Sequence, residues 1–407
     1  MQLWIPQRLV MGVFLGVIFV FYFFAIYFDL RIENISVFRI PSTDYPHVYC
    51  TKNTTKTILF WNALFGNETF YFDKNVMFEG CPINDCFATS NKRHVRIEDF
   101  DAIIFHGAYD LSTYDLPSKR SKKQFYIYVS LESPENYPEV RPIFEEYFNL
   151  TMTYRTDSDI PWPYAVVRSL KGNNVIAPLK HVHWDNNIAV NHNAGIWKPQ
   201  EVSMSNIVKG KRKMVSWFVS NCAAKSGRME YVTELSNYID VDIYGKCGQK
   251  SPCENDCFST FIEPNYYFYL SFENSLCEDY VTEKFYNALR YNIVPVVYGG
   301  ANYTKFAPPG SYINSLDFDS PKMLAEFLLE LSKNHMKYEK YFEWKKYYKI
   351  DSSLKFSACK LCEFLHSARM KQIDIPLSAW YHMDRCPIQA QLNGEYATKF
   401  TLNKLLD

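Results

Sequence analysis

The sequence predicts an α/β protein built as two doubly wound domains facing a cleft, preceded by one N-terminal transmembrane helix. Three observations predict it: apolar runs of strand length recur without polar alternation, helical segments separate them, and a charge-free stretch opens the chain. Continuous apolar strands indicate parallel sheets covered on both faces. At 407 residues and 47% hydrophobic content, the chain is long enough for two packed domains.

The opening stretch, "LVMGVFLGVIFVFYFFAIYF" from Leu9 to Phe28, has 20 residues without a charge, and about 20 suffice to cross the hydrocarbon core. Arg8 and the α-amino group precede it, while Asp29, Arg31 and Glu33 follow. The positive-inside rule leaves residues 1–8 as a cytosolic tail and sends the rest across the membrane. A cleaved signal peptide is the competing reading. It would have a shorter apolar region followed by small residues, and this chain has neither. A short stem, 29–55, comes next. Sequons at Asn34, Asn53, Asn67, Asn149 and Asn302 all lie beyond the anchor and agree with a lumenal body.

The first domain is read over 56–195. "KTILFW" (56–61), "DAIIFH" (101–106) and "QFYIYVSLE" (124–132) are strands, and "TMTYR" (151–155) returns as another. "EVRPIFEEYFNL" (139–150) reads as a helix with Ile143, Phe144, Tyr147 and Phe148 on one side. A polar, turn-rich region, "HWDNNIAVNHNAG" (183–195), places the domain boundary between about 183 and 211.

The second domain, 196–365, repeats the grammar. "KMVSWFVSN" (213–221) is a strand, "SGRMEYVTELSNYI" (226–239) a helix capped by Ser226, and "VDIYG" (241–245) a strand. "YYFYLSFEN" (266–274), "TEKFYNALRY" (282–291) and "IVPVVYG" (293–299) read as strand, helix and strand. "MLAEFLLELSKNH" (323–335) and the segment from Tyr338 to Arg369 read as helical, and 366–407 is a C-terminal extension.

Lys+Arg 44 balance Asp+Glu 44, so no global positive field exists for nucleic acid. Eleven cysteines fit an oxidising compartment. "CPINDC" (Cys81, Cys86) and "CKLC" (Cys359, Cys362) have spacings that zinc also accepts. No histidine or acidic grouping recurs beside either, which favours structural disulfides. The odd total leaves at least one thiol free or paired between chains. The partners of Cys50, Cys222, Cys247, Cys253, Cys257, Cys277 and Cys386 stay open.

The densest chemistry is "ENSLCEDYVTEKFYNALRYNIVPVVYGG" (273–300). Its charges fall in the loop after one parallel strand and in the first turn of the next helix, the rim where open α/β sheets bind ligands. A helix start favours anions. Lys284 can meet a phosphate, and Glu283 can accept from ribose hydroxyls. An ordinary Glu–Lys surface pair is the alternative. "FVSN" followed by "KSGRM" forms a second such rim, with Arg228 suited to bidentate phosphate recognition. Neither rim has a Walker lysine loop or G-x-G-x-x-G, which disfavours ATPases and dinucleotide enzymes; two phosphate-directed rims in one domain of a lumenal, membrane-anchored protein suggest the diphosphate of a nucleotide sugar. In the other half, "YVSLESP" puts Glu132 just beyond a strand, where it could take a proton from an acceptor hydroxyl; a glutamate bonded to nearby backbone is the alternative. "DSD" (157–159) and "DVD" (240–242) are weak metal patterns, and no metal site is expected.

"FYLSFENSLCEDYVTEKFYNALRYNIVPVVYG" with "NYTKFAPPGSYI" closely resembles the donor-site signature of the eukaryotic α1,3-fucosyltransferases. "VSLESP", "FNLTMTYRTDSDIPWPY" and the 214–245 block resemble the family's other blocks in the same order, over roughly 55 to 365. The resemblance implies a GT-B-like fold of two Rossmann-like domains and a single-pass type II protein of the Golgi membrane, with its catalytic part lumenal. It implies inverting transfer of L-fucose from GDP-β-L-fucose to the 3-hydroxyl of N-acetylglucosamine. The acceptor would be an N-glycan or an N-acetyllactosamine-type chain, and no metal or other cofactor is required. It places the general base on Glu132, the diphosphate cations on Arg228 and Lys284, and further donor contacts on Ser220, Asn221, Asn274, Tyr280 and Glu283. It also implies bridges from Cys81 and Cys86 to Cys359 and Cys362. Two departures lie on the acceptor side: Ala165 stands where relatives commonly have glycine, and "ENYP" (135–138) replaces a histidine-containing turn. A catalytically silent, membrane-anchored glycan-binding protein of the same fold, and a transferase of another nucleotide sugar, are the alternatives.

Overall fold

The computed structural model describes residues 55–73, 76–107, 111–137, 140–184, 207–367, 376–388, 396–399 and 401–402. The tail, the anchor, almost all of the stem, the sequons at Asn34 and Asn53, Cys50 and most of the expected boundary region lie outside these residues. Among the described residues, no helix is long and apolar enough to cross a membrane.

Branched and aromatic runs form six parallel strands in the first lobe: β1 (Lys56–Phe60), β2 (Cys86–Thr89), β3 (Ala102–His106), β4 (Phe125–Ser130), β5 (Leu150–Thr153) and β6 (Ile160–Pro161). Their order is β2-β1-β3-β4-β5-β6. Every residue of β3, β4 and β5 is buried, because both faces are covered. One face packs Ile58, Ile104, Ile127 and Met152 with Phe70, Phe72 and Trp162, and the other packs Phe105, Tyr126 and Tyr128 with Phe144 and Phe148. A hairpin of β7 (Val166–Ser169) and β8 (Val175–Ala177) follows.

The second lobe has five parallel strands: β9 (Lys213–Phe218), β10 (Val241–Tyr244), β11 (Tyr266–Phe272), β12 (Val294–Tyr298) and β13 (Ile313–Asn314). They are ordered β10-β9-β11-β12-β13. Helices α1 (Arg228–Leu235), α2 (Glu283–Arg290) and α3 (Pro321–Lys333) follow β9, β11 and β13. Thr282 caps α2 by accepting from the Lys284 amide, and Ser320 caps α3 through the Met323 amide.

Three local expectations are corrected. The helix expected over 139–150 is absent from the described residues 140–150: after Arg141 comes a single 3-10 turn, Pro142–Phe144. Arg141 is extended, as a residue before proline prefers. Asn149 is already paired with the Tyr126 backbone in both directions, so too few residues remain to nucleate a helix. Phe144 and Phe148 still point inward, but Ile143 is 54% exposed. Ser226 does not cap α1. It is buried and donates to the Glu273 carbonyl at 2.9 Å, while Gly227, at φ +71°, occupies the cap position.

The segment 338–369 is not one helix. A short helix, His335–Glu339, runs into a 3-10 segment, Lys340–Lys346, and then β14 (Tyr348–Asp351) pairs antiparallel with β7. Asp351 meets Arg168 at 2.6 Å across that pair. Only then does α4 (Lys355–Ser367) begin. Although expected with the second domain, α4 packs Ala358, Leu361 and Leu365 against Ile58, Ile127 and Leu150 of the first sheet.

Two bridges fasten α4 there, Cys81–Cys359 and Cys86–Cys362. The other described cysteines pair as Cys222–Cys247, Cys253–Cys257 and Cys277–Cys386. A further short helix, α5 (Leu377–Tyr381), lies on the opposite face of the first sheet. At the end of β12, a Cβ on Gly300 would meet the Leu276 carbonyl at 2.4 Å, so glycine lets the 274–281 loop settle on the second sheet.

The α4 bridges span 278 and 276 residues, but they close nearly the same loop. With one intact, the other closes a ring of roughly eight residues, so its loss costs about 2 to 3 kcal/mol. Losing both costs about 8 kcal/mol on the same chain-entropy reasoning. Denaturant unfolding of Cys359→Ser, Cys362→Ser and the double variant should therefore give a strongly non-additive series. Additive costs would contradict this packing of α4.

Candidate active site

The carboxyl ends of β9 and β11 make one rim. β11 runs directly into Glu273, whose side chain is fully buried. Its Oε1 accepts from the Thr282 amide at 2.8 Å and the Thr282 hydroxyl at 2.9 Å, while Lys284 Nζ lies 3.2 Å from Oε2. Burial raises the Glu273 pKa. For Lys284, burial opposes the charge, but the carboxylates of Glu273 and Glu283 outweigh it and the pKa rises. Lys284 Nζ also donates to Thr282 Oγ1 at 2.8 Å and Glu283 Oε1 at 3.2 Å. The half-buried cation is thus held by two carboxylates, one of which, on Glu283, is half exposed and able to turn away.

Arg228 starts α1 and is 3% exposed. Its guanidinium donates to the Phe272 carbonyl at 2.8 Å and the Asn221 carbonyl at 3.0 Å, tying both strand ends together. Its Nε and the Oδ1 of Asn274 are buried without a partner. Burial lowers the Arg228 pKa, yet a guanidinium remains charged at any physiological pH.

Ser220, Asn221, Arg228, Asn274, Glu283 and Lys284 line one cavity of about 380 Å³, with Phe218, Phe258 and Tyr269 supplying apolar walls. Six of the seven expected donor residues therefore converge. The seventh, Tyr280, is not in that lining. Its hydroxyl donates to Glu132 Oε1 at 2.6 Å.

Glu132 stands two residues beyond β4, on the opposing rim. Its Oε1 also accepts from the Ser133 amide at 2.9 Å and Asn136 Nδ2 at 3.1 Å. Oε2 has no donor among the described residues, so one carboxylate oxygen is fixed and the other is available. Ser133 and Asn136 both reach Ser275 Oγ of the donor loop, at 2.7 and 2.9 Å. Asp279, at φ +57°, turns its carboxylate to the Thr156 amide and hydroxyl of the first lobe at 3.1 and 2.5 Å. The Tyr164 hydroxyl sits among these groups. Burial raises its pKa first, followed by the carboxylates of Glu283, Glu132 and Glu273. Glu132 and the rim that carries Glu273 and Glu283 therefore share one electrostatic environment.

Sequence reasoning missed Glu273, Ser133, Asn136, Ser275 and Asp279 as site residues. Glu273 was visible as a charge directly following an apolar strand. Ser133 and Asn136 flank the Glu132 block but carry no spacing signal, and the αL backbone of Asp279 has none.

Three of the four aspartates in the acidic triplets are already engaged. Asp157 pairs with the buried Arg155, Asp159 accepts from the Thr151 amide and hydroxyl, and Asp242 meets Lys213 and Tyr266. Among the described residues, Cys86, Cys362 and His366 lie at ligand spacing, but the two sulfurs are bonded to each other in one disulfide. Of the sequons within the described residues, Asn302 is exposed and Asn67 and Asn149 are half-buried. Ala165 lies buried against Val281 and Phe285, and Asn136 of the unusual "ENYP" turn is the residue that touches Glu132.

Comparison with known proteins places this geometry. "Fucosyltransferase, N-terminal" matches residues 53–165, and "Glycosyltransferase family 10 (fucosyltransferase) C-term" matches 208–380. The chain is 32% identical to Alpha-(1,3)-fucosyltransferase C of Drosophila melanogaster, over 83% of this chain and 80% of that one. It is 34% identical to Glycoprotein 3-alpha-L-fucosyltransferase A of Drosophila melanogaster, over 79% of this chain and 59% of that longer one. It is also 34% identical to 4-galactosyl-N-acetylglucosaminide 3-alpha-L-fucosyltransferase FUT5 of Gorilla gorilla gorilla, over 80% of each. With both halves of its rim chemistry inside those matches, the chain is a glycosyltransferase and belongs to glycosyltransferase family 10, the fucosyltransferases.

Proposed function

We propose that the chain transfers L-fucose from GDP-β-L-fucose, with inversion, to the 3-hydroxyl of an N-acetylglucosamine in glycoprotein glycans. The observation that carries this reading is the meeting of the two rims. Six donor-directed residues surround one cavity, and Tyr280 from the same loop hydrogen-bonds the Glu132 carboxylate opposite. The names of the relatives, one a glycoprotein fucosyltransferase and one acting on 4-galactosyl-N-acetylglucosaminide, support this acceptor class.

In this mechanism Oε2 of Glu132 takes the proton of the acceptor 3-hydroxyl as that oxygen bonds to the anomeric carbon of fucose. The bond from that carbon to the diphosphate breaks on the opposite face, which inverts the centre. Arg228, Lys284 and the amino end of α2 meet the charge left on GDP. Glu283 can turn from Lys284 to the ribose hydroxyls, freeing Lys284 donors for phosphate oxygens. Asn274 Oδ1, buried and unpartnered, is poised to accept from the donor. With two cations and a helix end at the leaving group, the chemistry needs no metal. The uncharged Leu9–Phe28 stretch, the sequons and the paired cysteines support a type II Golgi membrane protein with this site in the lumen.

The direct test is incubation of the chain with GDP-fucose and defined glycans, locating the added sugar by mass spectrometry. Transfer to a position other than the N-acetylglucosamine 3-hydroxyl, or binding without transfer, would contradict the proposal. Glu132→Gln should reduce kcat by about 10³-fold or more while GDP still binds. Lys284→Ala should weaken GDP about 10- to 100-fold, the loss of a charge-assisted contact of about 1.5 to 3 kcal/mol. Calorimetry checks the second, and unchanged GDP affinity would remove Lys284 from the donor site.

A further inference from the structure

The chain beyond the matched family region returns to the active site. The match ends at residue 380, just before Tyr381. α5 docks on the first lobe as the Leu377 and Ser378 amides donate to the Glu145 carbonyl and carboxylate, at 3.2 and 2.9 Å. The Trp380 carbonyl accepts from buried Arg155 at 2.5 Å, and the Arg155 guanidinium stacks 4.0 Å above its ring. Tyr381 is fully buried; its hydroxyl donates to the Glu132 backbone carbonyl and lies 2.7 Å from Ser130 Oγ.

The chain then turns at Asp384, φ +53°, and reaches the donor loop. Arg385 pairs with the Glu278 carboxylate at 2.9 Å, and its carbonyl accepts from the Glu278 amide at 2.6 Å. Cys386 is bridged to Cys277 and packs in one cluster with Tyr154 and Tyr280. Farther on, Ala397 is buried in the second-lobe core, with its amide on the Tyr298 hydroxyl at 2.8 Å.

We propose that residues 376–388 form a strap that positions the catalytic base against the donor loop, with Tyr381, Arg385 and Cys386 as positioning residues. It controls both ends of the Tyr280–Glu132 hydrogen bond. Tyr381 holds the backbone of Glu132, and the Cys277–Cys386 bridge with the Arg385–Glu278 pair holds the loop that presents Tyr280. The diphosphate cations, Arg228 and Lys284, take their hydrogen bonds and ion pairs from Asn221, Phe272, Glu273, Thr282 and Glu283, none of which belongs to the strap. The strap therefore acts on the proton-transfer geometry rather than on donor affinity. A displacement of about 1 Å at a reacting group can cost about a hundredfold in rate, so a strap of this kind has leverage.

This inference rests on Glu132 being the base, and its test separates the two. Tyr381→Phe removes one hydroxyl, Arg385→Ala one ion pair, and Cys277→Ala with Cys386→Ala the bridge, all in the full chain. Each should lower kcat for fucose transfer about tenfold, while the Kd for GDP by calorimetry stays within about twofold. A wild-type kcat in Tyr381→Phe and Arg385→Ala, beside an inactive Glu132→Gln, would overturn the strap alone. A parallel loss of GDP affinity and kcat would reduce it to a fold-stabilising element and overturn it too. Retained transfer by Glu132→Gln would sink the reading beneath it. Tyr381→Phe and Arg385→Ala do not depend on disulfide formation, so the test stands even if the bridge variant does not fold.

Discussion

A buried carboxylate organises this protein. Glu273 lies fully buried at the end of an apolar strand, and an unpaired charge there would be severely destabilising. Thr282 and Lys284 satisfy it, and meeting that demand fixes the first turn of α2 against the end of β11. The loop between them must then fold over the sheet, past a glycine whose missing Cβ lets the backbones touch. That loop carries Asn274, Ser275, Asp279 and Tyr280, each of which faces either the donor cavity or the opposite lobe. One electrostatic requirement therefore sets where a cation, a polar wall and an interlobe contact all stand.

The opposing lobe answers with few elements. β4 ends in a loop whose Glu132 has one carboxylate oxygen immobilised by three donors and the other left free. Immobilising one oxygen orients the other at little further entropic cost, the usual requirement for a group that must take a proton within a short encounter. Ser133 and Asn136 double as contacts to Ser275, so the groups that orient Glu132 also form the seam between the lobes. Asp279, in a left-handed conformation unfavourable for most side chains, makes a second stitch to Thr156.

Much of this was legible in the residues because the strands are buried on both sides and read as uninterrupted apolar runs. The convergence of Arg228, Glu283 and Lys284 on one cavity was legible because both rims set charges directly after such a run. What escaped depended on partners distant in the chain. The 139–150 segment has helical spacing, but Pro142 and the pairing of Asn149 with Tyr126 override it. The strand at 348–351 forms because β7 offers an edge nearly 180 residues earlier. Ser226 looks like a cap until Gly227 takes that position and its hydroxyl is claimed by Glu273. The burial of Glu273 and the return of Cys386 to Cys277 likewise have no local signature.

The proposed transfer requires a single gap with a guanosine diphosphate on one side and a proton-accepting glutamate on the other. A crystal structure with GDP and an N-acetylglucosamine-containing acceptor tests it most directly. The account predicts diphosphate oxygens on Arg228 and Lys284, with Oε2 of Glu132 within hydrogen-bond distance of the acceptor 3-hydroxyl. A diphosphate seated away from both cations, or an acceptor hydroxyl directed at a group other than Glu132, would contradict it.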